Sequence, residues 1–305
     1  MIDQPSLTRT DLVDIVTPSR RGAAVYKTIL EEASKTPEKW IRHHFIVIFD
    51  TSNDQERLKL EHWLAYARES LPLPRVTVLT AEESERHNPN ALRQKALKEG
   101  VNPYIYFQDD DDALPLNLDN FLKEAEKNPH LAAIYGVTET VNSKHHLIEQ
   151  FPTIHNNMFE LDAKEASRWF PTYAHPIAAI FKRSDIEDIP VYKQGDPSFY
   201  TGASVFCLRF TESGKNIEFI PKIIRQVKLH KDNDDGILTE SLREEIVKDI
   251  KSWLYEIKNA DIQEFHLEIA EALEKGWITT FREIAAMIET KLGYYKFIET
   301  RFIII

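Results

Sequence analysis

Four consecutive aspartates, at residues 109–112, have the clearest potential for chemistry in this sequence. They follow an aromatic and β-branched run, residues 104–107, that predicts a buried strand. Adjacent carboxylates raise one another's pKa unless a counter-ion relieves them, and hard cations such as Mg²⁺, Mn²⁺ and Ca²⁺ prefer carboxylate oxygens. The pattern therefore favours a metal or ligand site at the end of this strand. The alternative is a solvated turn in which Asp112 or Asn117 caps the next helix.

The composition narrows the classes of function. The chain has 305 residues, of which 42% are hydrophobic and 29% charged, as in an ordinary globular protein of one large or two smaller domains. Its single cysteine, Cys207, excludes a disulfide framework and a cysteine-based zinc site. The formal net charge of −11 disfavours nucleic acid as the main partner, since proteins that neutralise phosphates usually carry a basic surface.

The sequence shows no membrane segment. No apolar run approaches the roughly 18 to 20 residues that cross a bilayer, and the first residues lack the apolar region of a signal peptide. We therefore expect a protein without a transmembrane segment, in the cytoplasm.

Strand-like and helix-like segments alternate through the first half of the chain. This alternation predicts βαβ units and an α/β fold, with a mostly parallel central sheet and helices on both faces. A C-terminal helical extension follows, so the predicted domains are residues 1–235 and 236–305. Strands are predicted at residues 13–17, 45–49, 76–79, 104–107, 132–137, 178–182, 217–220 and 223–229. Helices are predicted at 23–34, 55–70, 90–99, 118–127 and 197–212, the last with Asp196 as its N-cap.

Polar clusters follow three of the predicted parallel strands, at residues 18–21, 50–54 and 109–112. Ligands of open α/β sheets bind outside the carboxyl ends of the strands, so we expect the three clusters to converge on one edge. No G-x-G-x-x-G follows the first strand, and no G-x-x-x-x-G-K-[ST] occurs anywhere. Dinucleotide-dependent oxidoreductases and P-loop NTPases are therefore disfavoured, because their phosphate cradle is missing.

The order of these motifs resembles the inverting GT-A glycosyltransferases of family 2. The resemblance covers about residues 10–235, and its Asp-x-Asp motif is the best-known part. It implies a Rossmann-like GT-A fold and metal-dependent transfer of a hexose from a nucleotide-diphosphate sugar, most often a UDP-sugar, to a sugar or glycan acceptor, as in polysaccharide biosynthesis. The five features are Pro18-Ser19, the turn at Asp50, a helix start at Arg93, Asp109 to Asp112 with Pro115, and a basic-x-His element ending at His230.

The resemblance also implies roles for individual residues. Mn²⁺ or Mg²⁺ held by Asp111, Asp109 and His230 would bridge the donor's phosphates and stabilise the leaving diphosphate. Asp50 would hydrogen-bond the base, and Arg93 would lie near the sugar or diphosphate. Each residue has a structural alternative as a turn, cap, surface or loop residue. The other donor-binding residues implied are Pro18, Ser19, Arg21 and Asp110.

An inverting transferase needs a general base for the acceptor hydroxyl. The family's acid lies in a helix that ends near a glycine, here Gly214, but the matching positions are Gly202-Ala203. We predict Asp196 as the base. It lies seven residues before Ala203, which is nearly two helical turns, so it is on the same face of the helix. The alternative is that Asp196 only caps the helix and that Asp185, Glu187 or another group is the base.

Three other functions remain open at this stage. The first is a sugar nucleotidyltransferase. That class usually has a glycine-rich loop with lysine or arginine after the first strand, and Ser19-Arg20-Arg21-Gly22 resembles such a loop only faintly. A non-catalytic scaffold or sensor would use the C-terminal helices for interaction. Whatever the function, these helices could also form a homo-oligomer. Glycosylation of DNA bases is disfavoured by the acidic charge. Turnover of a nucleotide sugar separates a transferase from the non-catalytic alternative.

Overall fold

The computed structural model describes most of the chain between residues 13 and 287. All structural statements below concern these residues. They are 13–50, 54–70, 73–85, 88–142, 147–151, 178–194, 196, 205–206, 209–210, 212–228, 238–280, 283–284 and 286–287.

The described strands form one mixed, mostly parallel sheet of eight strands in the order β3-β2-β1-β4-β7-β5-β6, with β8 also pairing with β5. Strands β3, β2, β1 and β4 are parallel, β7 is antiparallel to its neighbours, and β8 is parallel to β5. The strands are β1 Val13–Ser19, β2 His44–Phe49, β3 Arg75–Thr80, β4 Tyr104–Phe107, β5 Ala133–Val141, β6 Leu147–Phe151, β7 Ala179–Lys182 and β8 Ile217–Lys228.

Helices lie on both sides of this sheet, as predicted for an α/β fold. The first helix, α1, covers residues 22–35 and is π-helical over Val25–Glu31. Single helical turns of the 3₁₀ type occur at Glu83–Glu85 and Leu254–Glu256. The remaining described helices are α2 Pro37–Trp40, α3 Asp54–Ser70, α4 Pro89–Glu99, α5 Leu118–Lys127, α6 Arg183–Ile186, α7 Glu240–Trp253 and α8 Ala260–Glu274.

The centre of the sheet is buried on both faces. All six residues of β2 are buried, which matches the unbroken apolar run expected of a covered parallel strand. Around the end of β4, Phe107 packs against Phe181 and Phe206 with ring centroids 5.8 and 6.1 Å apart, and Phe210 lies 5.3 Å from Phe181. This aromatic cluster fixes the strand end from which the four aspartates leave.

A buried polar network ties the opposite ends of the strands together. The Asp14 carboxylate is fully buried and accepts hydrogen bonds from His44 Nδ1 at 3.1 Å, from the Asn102 backbone N–H at 3.0 Å and from Arg183. Burial alone would raise the pKa of Asp14, but these hydrogen bonds and the Arg183 charge hold it below its ordinary value. The network therefore fixes the strand starts, away from the aspartates.

The structure differs from the sequence prediction in two strands. The segments predicted at 217–220 and 223–229 are joined in one strand, β8. Pro221 and Lys222, which separate the two segments in the sequence, are exposed at an irregularity where the register of β8 against β5 shifts. Gly136 fits this irregularity, since a Cβ there would lie 2.7 Å from the Lys222 carbonyl oxygen. Strand β6 was not predicted, because its residues 147–151 carry little apolar pattern.

The predicted C-terminal helices are confirmed by α7 and α8. Ile250 and Trp253 of α7 and Phe265 and Ile269 of α8 are buried, and they belong to the same hydrophobic cluster as the sheet. The boundary between residues 235 and 236 remains a prediction. None of the described helices is long and apolar enough to cross a membrane.

Candidate active site

The three polar strand ends converge, as the topology predicts. The Arg20 Nε lies 3.0 Å from Asp50 Oδ2 and joins the ends of β1 and β2. The Ser19 hydroxyl donates to Asp110 Oδ2 at 2.6 Å and joins the ends of β1 and β4. The backbone continues the same alignment, since the Asp50 N–H donates to the Ser19 carbonyl at 3.1 Å. The three clusters therefore form a single candidate site.

The turn that carries the aspartates is held by β8. The Ala113 N–H donates to the Gln226 carbonyl at 3.0 Å, and the Leu116 N–H donates to the Ile224 carbonyl at 2.8 Å. From the other side, the Thr28 hydroxyl of α1 donates to the Asp110 carbonyl at 2.7 Å. The turn is thus fixed between α1 and β8.

Asp109 lies between two buried arginines. Arg93 of α4 approaches Oδ1 at 2.8 Å, and Arg225 of β8 approaches Oδ2 at 3.2 Å. Arg93 is also oriented by Asn90, whose Oδ1 lies 2.8 Å from Nη1. The Asp109 side chain remains 29% exposed, so the arginines fix it from the protein side and leave it open to solvent.

Asp112 is the buried member of the aspartate run. Its Oδ2 accepts from Arg225 Nε at 2.6 Å, and the residue is only 2% exposed. Burial raises the pKa of Asp112 to about 7, although the Arg225 charge opposes this rise. The nearby Tyr106 hydroxyl is fully buried, and burial raises its pKa. No described residue forms a hydrogen bond with that hydroxyl.

Asp110 and Asp111 share one arginine. The Arg21 Nη2 contacts Asp110 Oδ1 and lies 2.8 Å from Asp111 Oδ2, while Arg21 Nε donates to Asp110 Oδ2 at 3.3 Å. The Asp110 hydrogen bond, together with Asp111, raises the pKa of Arg21, whereas burial raises that of Asp110. The side chains of Arg21 and Asp111 are 53% and 28% exposed, so this pair faces solvent.

Most of the predicted donor-binding residues meet at this site. Pro18 lies in β1, immediately before Ser19. His230 lies outside the described residues. Sequence reasoning missed Arg225; its signal is a lone arginine in the apolar stretch Ile223-Ile224-Arg225, and the structure buries it to 9% exposure. The residues brought together are Ser19, Arg21, Asp50, Arg93, Asp109, Asp110 and Asp111.

The predicted base, Asp196, has a different set of partners. Arg209 donates to both of its carboxylate oxygens, at 2.6 and 2.5 Å, and the Lys193 backbone N–H donates to Oδ2 at 2.7 Å. Arg209 also donates to Glu256 from Nε at 2.6 Å and from Nη2 at 2.7 Å. This cluster links the segment around Asp196 to the turn between α7 and α8. The helix predicted to start at Asp196 lies mainly outside the described residues.

The oxygen donors for a divalent cation would come from Asp109 and Asp111. Their side chains are 29% and 28% exposed, and carboxylate oxygens suit Mg²⁺ or Mn²⁺. Within the described part of the chain, no group of three or more His, Cys, Asp or Glu side chains could hold a metal ion. The two aspartates therefore fit a cation whose remaining ligands are not His, Cys, Asp or Glu side chains of the described residues.

The sequence model of glycosyl transferase family 2 matches residues 14–189. A search of curated proteins finds no match to this sequence.

Solved structures show the same fold at low sequence identity. Residues 1–349 of S. aureus TarS align with a TM-score of 0.55 and 14% identity over 86% of this chain and 71% of that one. The same TarS fragment in complex with UDP-GlcNAc gives 0.55 and 15% over 86% and 72%. The mannosyltransferase PcManGT from Pyrobaculum calidifontis, in complex with GDP-Man and Mn²⁺, gives 0.55 and 13% over 86% and 69%. A longer TarS structure is covered to 43% of its length.

Proposed function

Because the chain belongs to glycosyl transferase family 2 and has the GT-A fold, we propose that it transfers a sugar from a nucleotide-diphosphate sugar to a sugar or glycan acceptor. The observation that carries this proposal is the convergence of Ser19, Asp50 and the aspartate turn on one sheet edge. The complexes of TarS with UDP-GlcNAc and of PcManGT with GDP-Man support the donor class. A UDP-sugar is the donor we favour.

The proposed donor site assigns a different part of the donor to each strand end. Asp50, at the end of β2, would accept from the nucleobase in place of Arg20, which pairs with its buried carboxylate in the donor-free protein. Arg21 faces the diphosphate, because guanidinium groups pair with phosphate oxygens through two parallel hydrogen bonds. Arg93, whose side chain is only 3% exposed, acts near the diphosphate by orienting Asp109. Pro18 and Ser19 are the last residues of β1, between the proposed base and diphosphate positions, and the Ser19 hydroxyl holds the Asp110 carboxylate.

Asp111 and Asp109 are the proposed ligands for Mn²⁺ or Mg²⁺, with His230 as a third. When bound, such an ion would stabilise the negative charge of the leaving diphosphate as a Lewis acid. The protein contributes the orientation of Asp109, which Arg93 and Arg225 fix from two sides. Because both arginines are buried, the carboxylate reaches the donor in one orientation.

We further propose that the reaction inverts the anomeric centre, with Asp196 as the base. Each carboxylate oxygen has two lone pairs, so Asp196 can accept a proton while Arg209 remains bound. The alternatives are Asp185, which lies 3.1 Å from Lys215 Nζ, and Glu187, whose side chain is 59% exposed. A cytoplasmic location and a homo-oligomer formed through the C-terminal helices also remain predictions.

One observation favours a second candidate function, a donor-binding subunit without transfer activity. The predicted base, Asp196, has both oxygens bound to Arg209, as in a structural ion pair. Such a subunit would bind the nucleotide sugar without consuming it. Measuring release of UDP from UDP-sugars distinguishes the two candidates.

Calorimetric binding of UDP, with and without Mn²⁺, tests the proposed site. GDP and CDP test the choice of base. Asp111→Asn is expected to abolish Mn²⁺-dependent UDP binding without unfolding the protein, because it removes an exposed carboxylate. Asp119→Asn is the matched control, since Asp119 is an exposed acid in the first turn of α5. If the wild type binds no nucleotide under any condition, the proposed function is wrong.

A further inference from the structure

Arg21 stands where the proposed cation and the donor's phosphates would meet. Its Nη2 bridges Asp110 and Asp111, and Asp111 is one of the two proposed metal ligands. A guanidinium group and a divalent cation compete for the same carboxylate oxygens, because both are attracted by the same negative charge. Cation binding at Asp111 therefore requires Arg21 to give up at least this contact.

The three arginines of the aspartate turn differ in how free they are to move. Arg93 and Arg225 have side chains that are 3% and 11% exposed, and both are enclosed by protein. The Arg21 side chain is 53% exposed and lies in the short connection between β1 and α1. Arg21 can therefore change partners without disrupting the core, whereas the other two cannot.

Asp110 can keep a hydrogen bond to Arg21 while Arg21 changes its other partner. The Asp110 carboxylate is held by the Ser19 hydroxyl at 2.6 Å and also accepts from Arg21 Nε at 3.3 Å. The contact to Asp111 is made by Nη2, at the far end of the guanidinium group. A rotation of the side chain can release Asp111 while the Nε contact to Asp110 persists.

The protein wall of the turn also has unused hydrogen-bonding capacity. The Tyr106 hydroxyl is fully buried, interacts electrostatically with Arg225, Asp112 and Asp109, and has no hydrogen-bond partner among the described residues. A buried polar group without a partner is costly and commonly marks the place of a water, ion or ligand. This hydroxyl lies on the protein side of the turn, beside Asp109 and Asp112, where a buried water would complete its hydrogen bonding.

We propose that Arg21 is an exchangeable counter-cation, which neutralises Asp111 in the donor-free protein and moves to the donor's diphosphate when a divalent cation binds Asp111. This inference rests on the proposed function, and it adds that cation and diphosphate bind cooperatively through one side chain. Each ligand then removes an obstacle to the other, so the coupling is reciprocal. Arg21 would act on donor binding and not on the acceptor.

Two titrations of Arg21→Gln and Arg20→Gln test the exchange. Mn²⁺ binding without nucleotide is followed by electron paramagnetic resonance, and UDP binding at saturating Mn²⁺ is followed by calorimetry. Arg21→Gln is expected to tighten Mn²⁺ binding about tenfold and to weaken UDP binding about tenfold, as expected for one charge-assisted hydrogen bond. Arg20→Gln removes the same charge one residue away but leaves the Arg21–Asp111 pair intact, so its Mn²⁺ affinity should stay within about twofold of the wild type.

Unchanged or weaker Mn²⁺ binding by Arg21→Gln would overturn the exchange, and equal tightening by Arg20→Gln would reduce it to general electrostatics. Failure of the proposed function has a different signature, which is that the wild type does not bind UDP. In that case the Mn²⁺ titration still shows whether Arg21 competes with the cation for Asp111. Arg21→Lys serves if Arg21→Gln does not fold. An ammonium group is a point charge that cannot bridge two carboxylates as the planar guanidinium does, so smaller changes in the same directions are expected.

Discussion

Two arginine–carboxylate clusters in this molecule contain the same chemical groups in different surroundings. The aspartate cluster consists of Asp109 to Asp112 with Arg21, Arg93 and Arg225. The Arg209 cluster consists of Arg209, Asp196, Glu256 and Lys193. The first lies at the carboxyl edge of the parallel strands, and the second joins the segment around Asp196 to the C-terminal helices.

The clusters differ in charge balance and in exposure. The aspartate cluster has four carboxyl and three guanidinium groups, a formal excess of one negative charge when Asp112 is ionised, and Asp111 and Arg21 face solvent. The Arg209 cluster has two carboxylates and two cations. Lys193 at its edge is 51% exposed, but the side chains of Arg209, Asp196 and Glu256 are only 6%, 10% and 12% exposed. A cluster with an excess carboxylate and partly exposed acids can bind a cation and an anion, whereas a balanced cluster with enclosed carboxylates mainly holds segments together.

The largest expected effect in this comparison is on stability, from Arg225→Leu. It leaves Asp112 buried without its ion partner and removes one of the two arginines on Asp109. Breaking a buried pair in this way costs about 3–5 kcal/mol of unfolding free energy. Urea denaturation measures it, with Arg68→Leu as a control expected to change stability by less than about 1 kcal/mol, because Arg68 is an exposed residue of α3. A loss as small as the control's would mean that Arg225 is not needed to neutralise the turn.

A smaller effect is expected from Glu256→Gln in the Arg209 cluster. The hydrogen bonds from Arg209, together with its charge, lower the pKa of Glu256, so the pair stabilises the charged carboxylate. Losing that charge should cost about 1–3 kcal/mol of unfolding free energy and leave UDP affinity unchanged. Asp196→Asn should cost a similar amount.

Turnover separates the structural role of Asp196 from the proposed catalytic one. If Asp196 is the base, Asp196→Asn lowers kcat by roughly 100-fold or more, whereas Glu256→Gln keeps most of it. If the Arg209 cluster only holds segments together, the two variants lose similar amounts of unfolding free energy and both keep most of the wild-type kcat. Measuring kcat and denaturation midpoints for both variants therefore decides the assignment.

A further effect, of at most about 2 kcal/mol between pH 6.5 and 5, is a pH dependence near the Arg209 cluster. Burial lowers the pKa of His266 on α8 to about 3, and its ring packs edge-on against Trp253 at 4.7 Å. Between about pH 3 and 6.5 the unfolded chain binds this proton and the native chain does not. The stability that neutral His266 contributes is therefore present above about pH 6.5 and is lost as the pH falls, by at most about 1.4 kcal/mol per pH unit.

Replacing His266 with phenylalanine isolates this contribution. His266→Phe should flatten the decline of unfolding free energy between pH 6.5 and 5, measured by denaturation at each pH. Two other contributions should remain: the lowered pKa of Glu256 also costs stability as the pH falls, whereas the raised pKa values of Asp110 and Asp112 act in the opposite direction. An unchanged slope would mean that His266 is not buried in its neutral form.

Much of the fold could be predicted from the sequence. The strands at 45–49 and 104–107 and the helix at 118–127 were placed within a residue, because their apolar patterns and capping signals are local. The convergence of the three polar strand ends followed from parallel topology alone. The π-helical turn in α1 and strand β6 were not predicted, since no local pattern marks them.

The sequence by itself determined where the carboxylates would stand, because strand periodicity and strand ends are encoded in adjacent residues. Only the tertiary structure decided which cation each carboxylate meets. Arg225 reaches Asp112 across 113 positions of the chain, and Arg209 reaches Glu256 across 47. Such ion pairs depend on the packing of elements that are distant in sequence, and no spacing rule specifies them. For this reason the aspartate turn was foreseen as a charged site, while its neutralisation by Arg21, Arg93 and Arg225 was not.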